Sequence, residues 1–270
     1  MKIAFSTLAC PDWSLDRVLY LATTARYDGV ELRFIEGQHA LWKLPAFTGS
    51  GLQHTKRALA DAGLTVCCVD TSCYFHWIDS DRREEAIAEG MRMAALAGEL
   101  GAPGIRVFGD AVQAGADRDE TLQWIAESIQ VLAASTEELG VGVWLETHGD
   151  FASSDDTLRM VQHSSDTGVI WDPVNAALGA SEKVDVGCAR LGRAIRHVHL
   201  KDVTSMEQDA QPALPGEGVF EMCAPVRALK WIGYEAYVSF EWEKKWFADI
   251  PDAEIAVPAF AEWWRRNVQA

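Results

Sequence analysis

The stretch VGVWLET at residues 141–147 is a short apolar run that ends at a charged side chain, Glu146. Three runs of the same form follow it: GVIWD at 168–172, IRHVHL at 195–200 and YVSFE at 237–241. Apolar runs of this length are typical of buried parallel strands. They recur at about the 30-residue length of one strand-helix-strand unit. The four runs therefore predict four neighbouring strands of a parallel barrel, each with a polar residue at its carboxyl end.

The rest of the chain continues the alternation of strand and helix. Earlier strands are predicted at 2–8, 30–34, 64–71 and 104–108. Helices are predicted at 12–27, 51–62, 81–100, 119–139, 155–163, 184–193, 221–232 and 253–268. Eight strands and eight helices predict an α/β protein of the (β/α)8 TIM-barrel class, with 1–270 as a single domain. An open doubly wound sheet is the competitor, but it would carry a glycine-rich phosphate turn after the first strand, which this sequence lacks.

Composition narrows the classes of partner. The net charge of −16 argues against a nucleic acid and against an anionic membrane surface, because both need a basic face. The six cysteines form no CxxC pair, which favours reduced thiols in the core and a cytoplasmic location. The start MKIAFSTLAC is too polar for a signal peptide, and no run approaches the roughly 20 apolar residues of a membrane span.

Strand alternation directs the polar residues of the last four runs into the barrel. In the 195–200 run, the apolar Val198 and Leu200 are expected to face the outer helices, which leaves His199 inside. The same rule turns Glu146 and Glu241 inward. Asp172 ends its strand because the next residue is a proline, whose ring favours an extended residue before it. All four polar side chains are therefore expected to face one volume.

Three carboxylates around one volume repel each other, and their burial without a counter-charge is costly. A cation removes this conflict. Three oxygen donors and one imidazole suit Mn²⁺, Mg²⁺ or Co²⁺ in six-fold coordination better than a thiolate-type zinc site. Four protein ligands leave two coordination positions, which is enough for two neighbouring oxygens of a sugar.

Four motifs carry a resemblance to a known family. They are LETHGDF at 145–151, WDPVNA at 171–176, HVHLKD at 197–202 and SFEWEKKW at 239–246. Together they resemble the xylose isomerase-like TIM barrels, and within them the sugar phosphate isomerase/epimerase family that includes ketose 3-epimerases and inosose dehydratase-like enzymes. The resemblance covers essentially the whole chain, with the motifs in the family order.

The resemblance implies that Glu146, Asp172, His199 and Glu241 bind one divalent metal ion, usually Mn²⁺, with Mg²⁺, Co²⁺ and Zn²⁺ left open. It also implies that Glu146 and Glu241 exchange a proton with the substrate from opposite faces, through an enediolate next to a polarised carbonyl. The residue three positions after the aspartate is a histidine in ketose epimerases and is Asn175 here. We expect Asn175 to bind substrate, with a different polar contact.

Three more side chains are candidates for substrate binding, and each has a structural alternative. His148 lies two residues beyond Glu146 and is expected to contact substrate or a metal ligand; the alternative is a capped loop histidine. Lys201 either binds a sugar hydroxyl, or acts as an acid in a dehydration, or pairs with Asp202 or another carboxylate. Arg106 either clamps substrate or pairs with Glu31.

Other histidines and tryptophans are assigned mainly to packing. His197 is interpreted as a packed histidine, and His76 and Trp77 are placed in a loop over the barrel mouth. Trp263 and Trp264 in the last helix are assigned to packing or to an interface with a second copy of the chain. A homo-oligomer is therefore left open.

The sequence favours a small unphosphorylated substrate. The glycine-rich turn at 215–218 contains Glu217 and no nearby lysine or arginine, which makes it a poor phosphate cradle. The related endonuclease IV binds three metal ions and DNA. That function is not expected here, because the chain has only seven histidines and a strong negative charge. The first hypothesis is a metal-dependent isomerase or epimerase of a sugar or keto-sugar. The alternatives are a lyase of the inosose dehydratase type, acting on a keto-cyclitol or keto-sugar, and a non-catalytic sugar-binding barrel.

Overall fold

The computed structural model of this protein describes residues 1–161, 166–207 and 209–269. The barrel strands are β1 (Lys2–Ser6), β2 (Gly29–Leu32), β3 (Thr65–Tyr74), β4 (Gly104–Phe108), β5 (Gly142–Glu146), β6 (Thr167–Trp171), β7 (Ile195–Leu200) and, after a short hairpin of β8 (Asp202–Val203) and β9 (Pro212–Ala213), β10 (Tyr237–Phe240). They form a closed barrel in the order β1-β10-β7-β6-β5-β4-β3-β2. The predicted TIM-barrel fold is confirmed.

Strand positions agree with the sequence pattern, with one extension and two shortened ends. Strand β1 ends at Ser6 and not at residue 8, and β2 ends at Leu32 and not at residue 34. Strands β4 and β7 have the predicted bounds, because glycine or polar residues flank each apolar run. Strand β3 continues past residue 71 to Tyr74, and its register with β4 shifts between Asp70 and Tyr74. The extension carries the start of the aromatic segment 74–77 onto the end of the strand.

The helices in the described residues follow the predicted alternation, with small shifts at their ends. They are α1 (Leu15–Ala25), α2 (Gly49–Ala62), α3 (Ser80–Leu100), α4 (Arg118–Thr136), α5 (Ser154–Val161), α6 (Pro173–Ala180), α7 (Val184–Leu191), α8 (Cys223–Trp231) and α9 (Ala253–Asn267). The predicted helix 155–163 matches α5, and its residues 162–163 lie outside the described residues. Helix α6 was not predicted. It begins with Pro173 in its first turn, and the Asp172 carboxylate accepts hydrogen bonds from its first amides, which is a strong start signal.

The chain divides into two compact halves, one of Met1–Cys68 with His199–Ala270 and one of Val69–Val198. In the first half, aromatic rings fill the space between strands and helices: Phe240 stacks on Phe260 with ring centroids 4.7 Å apart. Trp264 is buried in the same core, which agrees with its assignment to packing. In the second half, a Cβ atom on Gly90 would lie 2.6 Å from the Leu132 side chain, so α3 and α4 approach closely at this glycine.

Asp202, in the β8–β9 hairpin, holds the glycine-rich turn at 215–218 through its carboxylate. Its Oδ2 atom accepts hydrogen bonds from the amides of Gly216 (2.9 Å) and Gly218 (3.0 Å). Its Oδ1 atom accepts from the amides of Val203 (2.9 Å) and Phe220 (3.1 Å). The buried carboxylate therefore acts as an internal anion for the turn.

Replacing Asp202 by alanine should lower the free energy of unfolding by about 3 kcal/mol, because several amides lose their acceptor. Asp202→Asn keeps one side-chain oxygen and should lose roughly half as much. Urea unfolding followed by circular dichroism measures both values. Equal stability of the alanine variant and the wild type would show that water replaces the carboxylate at no cost.

All six cysteines are thiols in the structure. Five are buried and only Cys223 is partly accessible. Burial raises the pKa of Cys188 to about 11 and raises that of Cys10 further. In the described residues, no helix is both long enough and apolar enough to cross a membrane.

We expect one thiol of the native protein to react quickly with Ellman's reagent at pH 8, and that thiol to be Cys223, because a buried thiol reacts slowly. The Cys223→Ser variant should lose the fast phase, and the denatured wild type should release colour for all six thiols. Two or more fast thiols in the native state would contradict the packing described above.

Candidate metal centre

The four predicted ligands each lie at the carboxyl end of a barrel strand. Glu146 is the last residue of β5, Asp172 follows β6 directly, His199 is the penultimate residue of β7, and Glu241 follows β10. All four side chains are buried. Each supplies one ligand atom, and the four atoms lie within 4.8 Å of one another.

This arrangement fits a divalent cation. Ligand oxygens and nitrogens lie about 2.0–2.2 Å from such an ion, so two ligands on opposite sides are about 4.4 Å apart. The observed limit of 4.8 Å therefore needs shifts of only a few tenths of an ångström. Three carboxylates and one neutral imidazole also give a hard donor set, which suits an ion such as Mn²⁺ or Mg²⁺.

A carboxylate lies beside each ring nitrogen of His199. Its Nε2 atom lies 2.8 Å from Oε1 of Glu31, and its Nδ1 atom lies 3.4 Å from Oε1 of Glu241. A proton on Nε2, donated to Glu31, leaves the Nδ1 lone pair on the side of Glu241. A carboxylate behind the ring is the usual way in which proteins orient a metal-binding histidine. The sequence named Glu31 as a possible partner of Arg106, and the structure places its carboxylate against His199.

Lys201 lies between two glutamates. Its Nζ atom is 2.7 Å from Oε2 of Glu241 and 3.1 Å from Oε1 of Glu243. The lysine is buried, so its charge acts on Glu241 with little screening by water. The structure thus pairs Lys201 with two carboxylates, one of which belongs to the four-residue cluster.

Arg106 lies between Glu146 and Asp70. Its Nη1 atom is 3.2 Å from Oε2 of Glu146 and 3.4 Å from Oδ2 of Asp70, and all three side chains are buried. The guanidinium also lies over the ring of Phe108, 4.3 Å from its centroid. This ion pair constrains the position of the Glu146 carboxylate.

Asp172 caps helix α6, and Asn175 in the first turn of that helix contacts Glu146. The Oδ1 atom of Asp172 accepts hydrogen bonds from the amides of Val174 (2.8 Å) and Asn175 (2.9 Å) and so caps helix α6. The Asn175 side chain donates a hydrogen bond of 3.4 Å to Oε1 of Glu146. The first turn of α6 therefore links two residues of the candidate metal centre.

His148 is paired with an acidic residue that the sequence did not point to. Its Nδ1 atom lies 2.8 Å from Oδ1 of Asp110, and its side chain is 40% exposed. The hydrogen bond from His148 holds the pKa of the Asp110 carboxyl below its usual range. The His148 ring also lies 4.9 Å from the ring of Phe108.

Two further histidines near this site, His76 and His197, are buried. His76 bonds through Nδ1 to the carbonyl oxygen of Gly109 at 2.9 Å and lies beside Trp77. His197 stacks on Trp144 with centroids 6.2 Å apart, as its assignment to packing requires. His197 also forms, with Glu31 and His199, a second group of side chains whose ligand atoms lie within 4.8 Å of one another.

Four acidic residues at this site were missed or given no role by sequence reasoning: Asp70, Asp110, Glu243 and, as the partner of His199, Glu31. Asp70 carries a usable signal, because it is the charged residue inside an otherwise apolar strand. Asp110 follows β4 after one glycine, and only the fold shows that it lies beside a residue of the β5 loop.

Several solved structures share this fold. A crystal structure of the IOLI protein with a bound zinc atom has a TM-score of 0.84 at 19% identity, over 100% of this chain and 98% of the other. The 3-keto-D-glucoside 4-epimerase of E. coli gives 0.78 at 17%, over 100% of both chains. The probable 3-DHS dehydratase AsbF of Bacillus anthracis gives 0.79 at 17%, over 97% of this chain and 98% of the other. No curated protein sequence matches the chain.

The family described as "Xylose isomerase-like TIM barrel" matches residues 19–267 of this sequence. The match covers the four motifs and all of the polar strand ends described above. The chain belongs to the family of xylose isomerase-like TIM barrels.

Proposed function

We propose that this protein is a divalent-metal-dependent isomerase or epimerase of an unphosphorylated sugar or keto-sugar. The observation that carries the proposal is the cluster of Glu146, Asp172, His199 and Glu241, which provides a metal site and two glutamates within reach of the same ligand. Two solved structures of the same fold are, by their names, an epimerase and a dehydratase.

The metal ion, when bound, polarises a substrate carbonyl and so makes the neighbouring C–H bond more acidic. In the proposed reaction, one of Glu146 and Glu241 removes that proton and the other returns a proton to the opposite face. The enediolate formed in between needs donors nearby. Lys201 is placed to supply one, because its ammonium is already 2.7 Å from Glu241.

The other proposed substrate-binding residues act around this pair. We assign Asn175 and His148 to hydroxyl groups of the sugar. We assign Arg106 to substrate binding as well. It also orients Glu146, because its Nη1 atom lies 3.2 Å from Oε2 of that glutamate.

An unphosphorylated substrate is supported by the turn at 215–218. Backbone amides of such a turn are the usual phosphate donors. Here the amides of Gly216 and Gly218 donate to the Asp202 carboxylate instead. A phosphate group would have to displace that internal anion.

We propose Mn²⁺ as the ion, with Mg²⁺, Co²⁺ and Zn²⁺ as alternatives; the IOLI structure holds zinc. Residues 1–270 are proposed to act as one domain, because a single family match spans residues 19–267. The six thiols favour the cytoplasm, and the charge of −16 favours a small-molecule partner over nucleic acid or membrane. A homo-oligomer is left open.

Deuterium exchange tests the proposal. The Mn²⁺-loaded protein is incubated in D₂O with a panel of ketoses, aldoses and keto-sugars, and the products are read by NMR. We expect deuterium at the carbon next to the carbonyl of at least one sugar, at a rate that a chelator abolishes. Absence of exchange across the whole panel would count against the proposal.

A lyase of the inosose dehydratase type is the second candidate. Lys201 and the Asp110–His148 pair favour it, because elimination needs an acid for the leaving hydroxyl. A near-ultraviolet absorbance from an enone product, formed from a keto-cyclitol, would identify this reaction. A non-catalytic sugar-binding barrel is the third candidate, and it predicts metal and sugar binding with no turnover.

A further inference from the structure

Two imidazole rings are bound to one short turn at the end of β4. His76 bonds to the Gly109 carbonyl oxygen through Nδ1, and His148 bonds to the Asp110 carboxylate through Nδ1. A carbonyl oxygen only accepts, so the proton of neutral His76 must be on Nδ1. The carboxylate likewise accepts from Nδ1 of His148. Both rings therefore have the same tautomer, with Nε2 on the side away from the turn.

The backbone conformation of the Gly109–Asp110 turn is fixed by the neighbouring loop. Asp110 has a φ of +69°, in the left-handed region that side chains other than glycine seldom adopt. Its carbonyl oxygen accepts a hydrogen bond of 2.7 Å from the amide of Asp150. A Cβ atom on Gly149 would lie 2.1 Å from that oxygen, so only glycine fits there. Such a strained conformation persists only where the surroundings hold it, and it is a reason to look for a function.

A line of ring contacts joins the turn to the candidate metal centre. The Phe108 ring lies 4.9 Å from the His148 ring and 4.9 Å from the Tyr74 ring. The Tyr74 ring lies 5.8 Å from the His76 ring. The Arg106 guanidinium lies over the Phe108 ring, 4.3 Å from its centroid, and its Nη1 atom lies 3.2 Å from Oε2 of Glu146. The two histidines and the proposed catalytic glutamate thus belong to one packed set of side chains at the carboxyl ends of β3, β4 and β5.

We propose that the Gly109–Asp110 turn is a substrate-orienting element, in which Asp110 fixes the tautomer of His148 so that two imidazole Nε2 atoms accept hydrogen bonds from hydroxyl groups of the bound sugar. This inference rests on the proposed function for its substrate class. Asp110 is a positioning residue in this arrangement, because it acts through His148. A site that accepts from a hydroxyl discriminates strongly against a deoxy analogue, since a buried polar atom then loses its partner.

The tautomer is tested without any substrate. Protein labelled with ¹⁵N-histidine is studied by long-range ¹H–¹⁵N correlation at pH 9, with His148→Gln and His76→Gln used for assignment. Both rings should show a protonated Nδ1 in the wild type. The Asp110→Gly variant removes the carboxylate without adding backbone strain, since glycine tolerates a positive φ. In it, His148 should shift towards the Nε2–H form, whereas His76 should not change because its partner is a backbone carbonyl.

A protonated Nε2 on His148 in the wild type, or an unchanged His148 in Asp110→Gly, overturns the proposal. With a sugar that exchanges deuterium, Asp110→Gly should raise KM about tenfold, the effect of one hydrogen bond, and should lower kcat by less than about threefold. An unchanged KM overturns the orienting role and leaves the proposed function standing. If no sugar exchanges, the proposed function fails, and equal sugar affinities of wild type and variant by calorimetry would overturn the orienting role as well.

Discussion

Replacing Glu146 or Glu241 by glutamine is expected to lower the rate of epimerised product by about 10²- to 10⁴-fold at saturating Mn²⁺, because each variant lacks the acid-base group on one face of the substrate. The two variants should differ in a second measurement. A remaining glutamate on the other face can still exchange its proton, so deuterium should enter one epimer without inversion. Quantitative NMR of both epimers in D₂O separates exchange from net conversion.

Glu243→Gln is the matched control for this experiment. Glu243 contacts the same lysine as Glu241, at 3.1 Å, but it is outside the group of four ligand atoms. Its amide oxygen can still accept from Lys201, so we expect product formation within about threefold of wild type. A loss as large as that of Glu241→Gln would show that the charge around Lys201, and not the metal-linked glutamate, governs the rate.

Addition of Mn²⁺ to the metal-free protein should raise Tm by about 5–10 °C at a hundred times Kd, because binding stabilises the native state by about 2.7 kcal/mol. The physical reason is local: three carboxylates within 4.8 Å repel one another until a cation neutralises them. Differential scanning calorimetry before and after chelation measures the shift. A single transition in both states is expected if residues 1–270 form one domain.

Asp172 offers two variants that separate the metal site from the helix cap. Asp172→Asn removes the charge but keeps an oxygen for the amides of Val174 and Asn175, and asparagine is a good capping residue. It should lose the Mn²⁺ shift and be at least as stable as the metal-free wild type. Asp172→Ala should lose the shift and a further 1 kcal/mol or so from the cap. A full Mn²⁺ shift in Asp172→Asn would place the ion elsewhere.

The barrel could be predicted from the sequence because apolar strand runs and amphipathic helices alternate regularly along the chain. Apolar runs bounded by glycine and polar residues give the bounds of β4 and β7 directly. Inward and outward faces follow from alternation, which is why Glu146, His199 and Glu241 could be placed together. Helix α6 was missed because Pro173 was taken only as the end of a strand, although a proline after a capping aspartate is also a helix start.

The partners of the site residues could not be predicted in the same way. Asp110 meets His148 across 38 positions of sequence, and Glu31 meets His199 across 168. Such pairs depend on how far each strand end is offset from its neighbours around the barrel. This offset cannot be read from a local sequence pattern. The loop conformation at Asp110, with its positive φ, likewise depends on the approach of the next loop.

The way in which Asp202 holds its turn has a consequence for redesign. A phosphosugar would have to compete for the amides of Gly216 and Gly218 with the Asp202 carboxylate. Because that carboxylate belongs to the same chain, its effective concentration is on the order of millimolar or higher. Asp202→Gly would remove the carboxylate and leave the amides of Gly216 and Gly218 available to an external anion. Inorganic phosphate should then restore stability lost in the truncated variant, and the substrate range of this barrel could be extended to phosphorylated ligands from a single position.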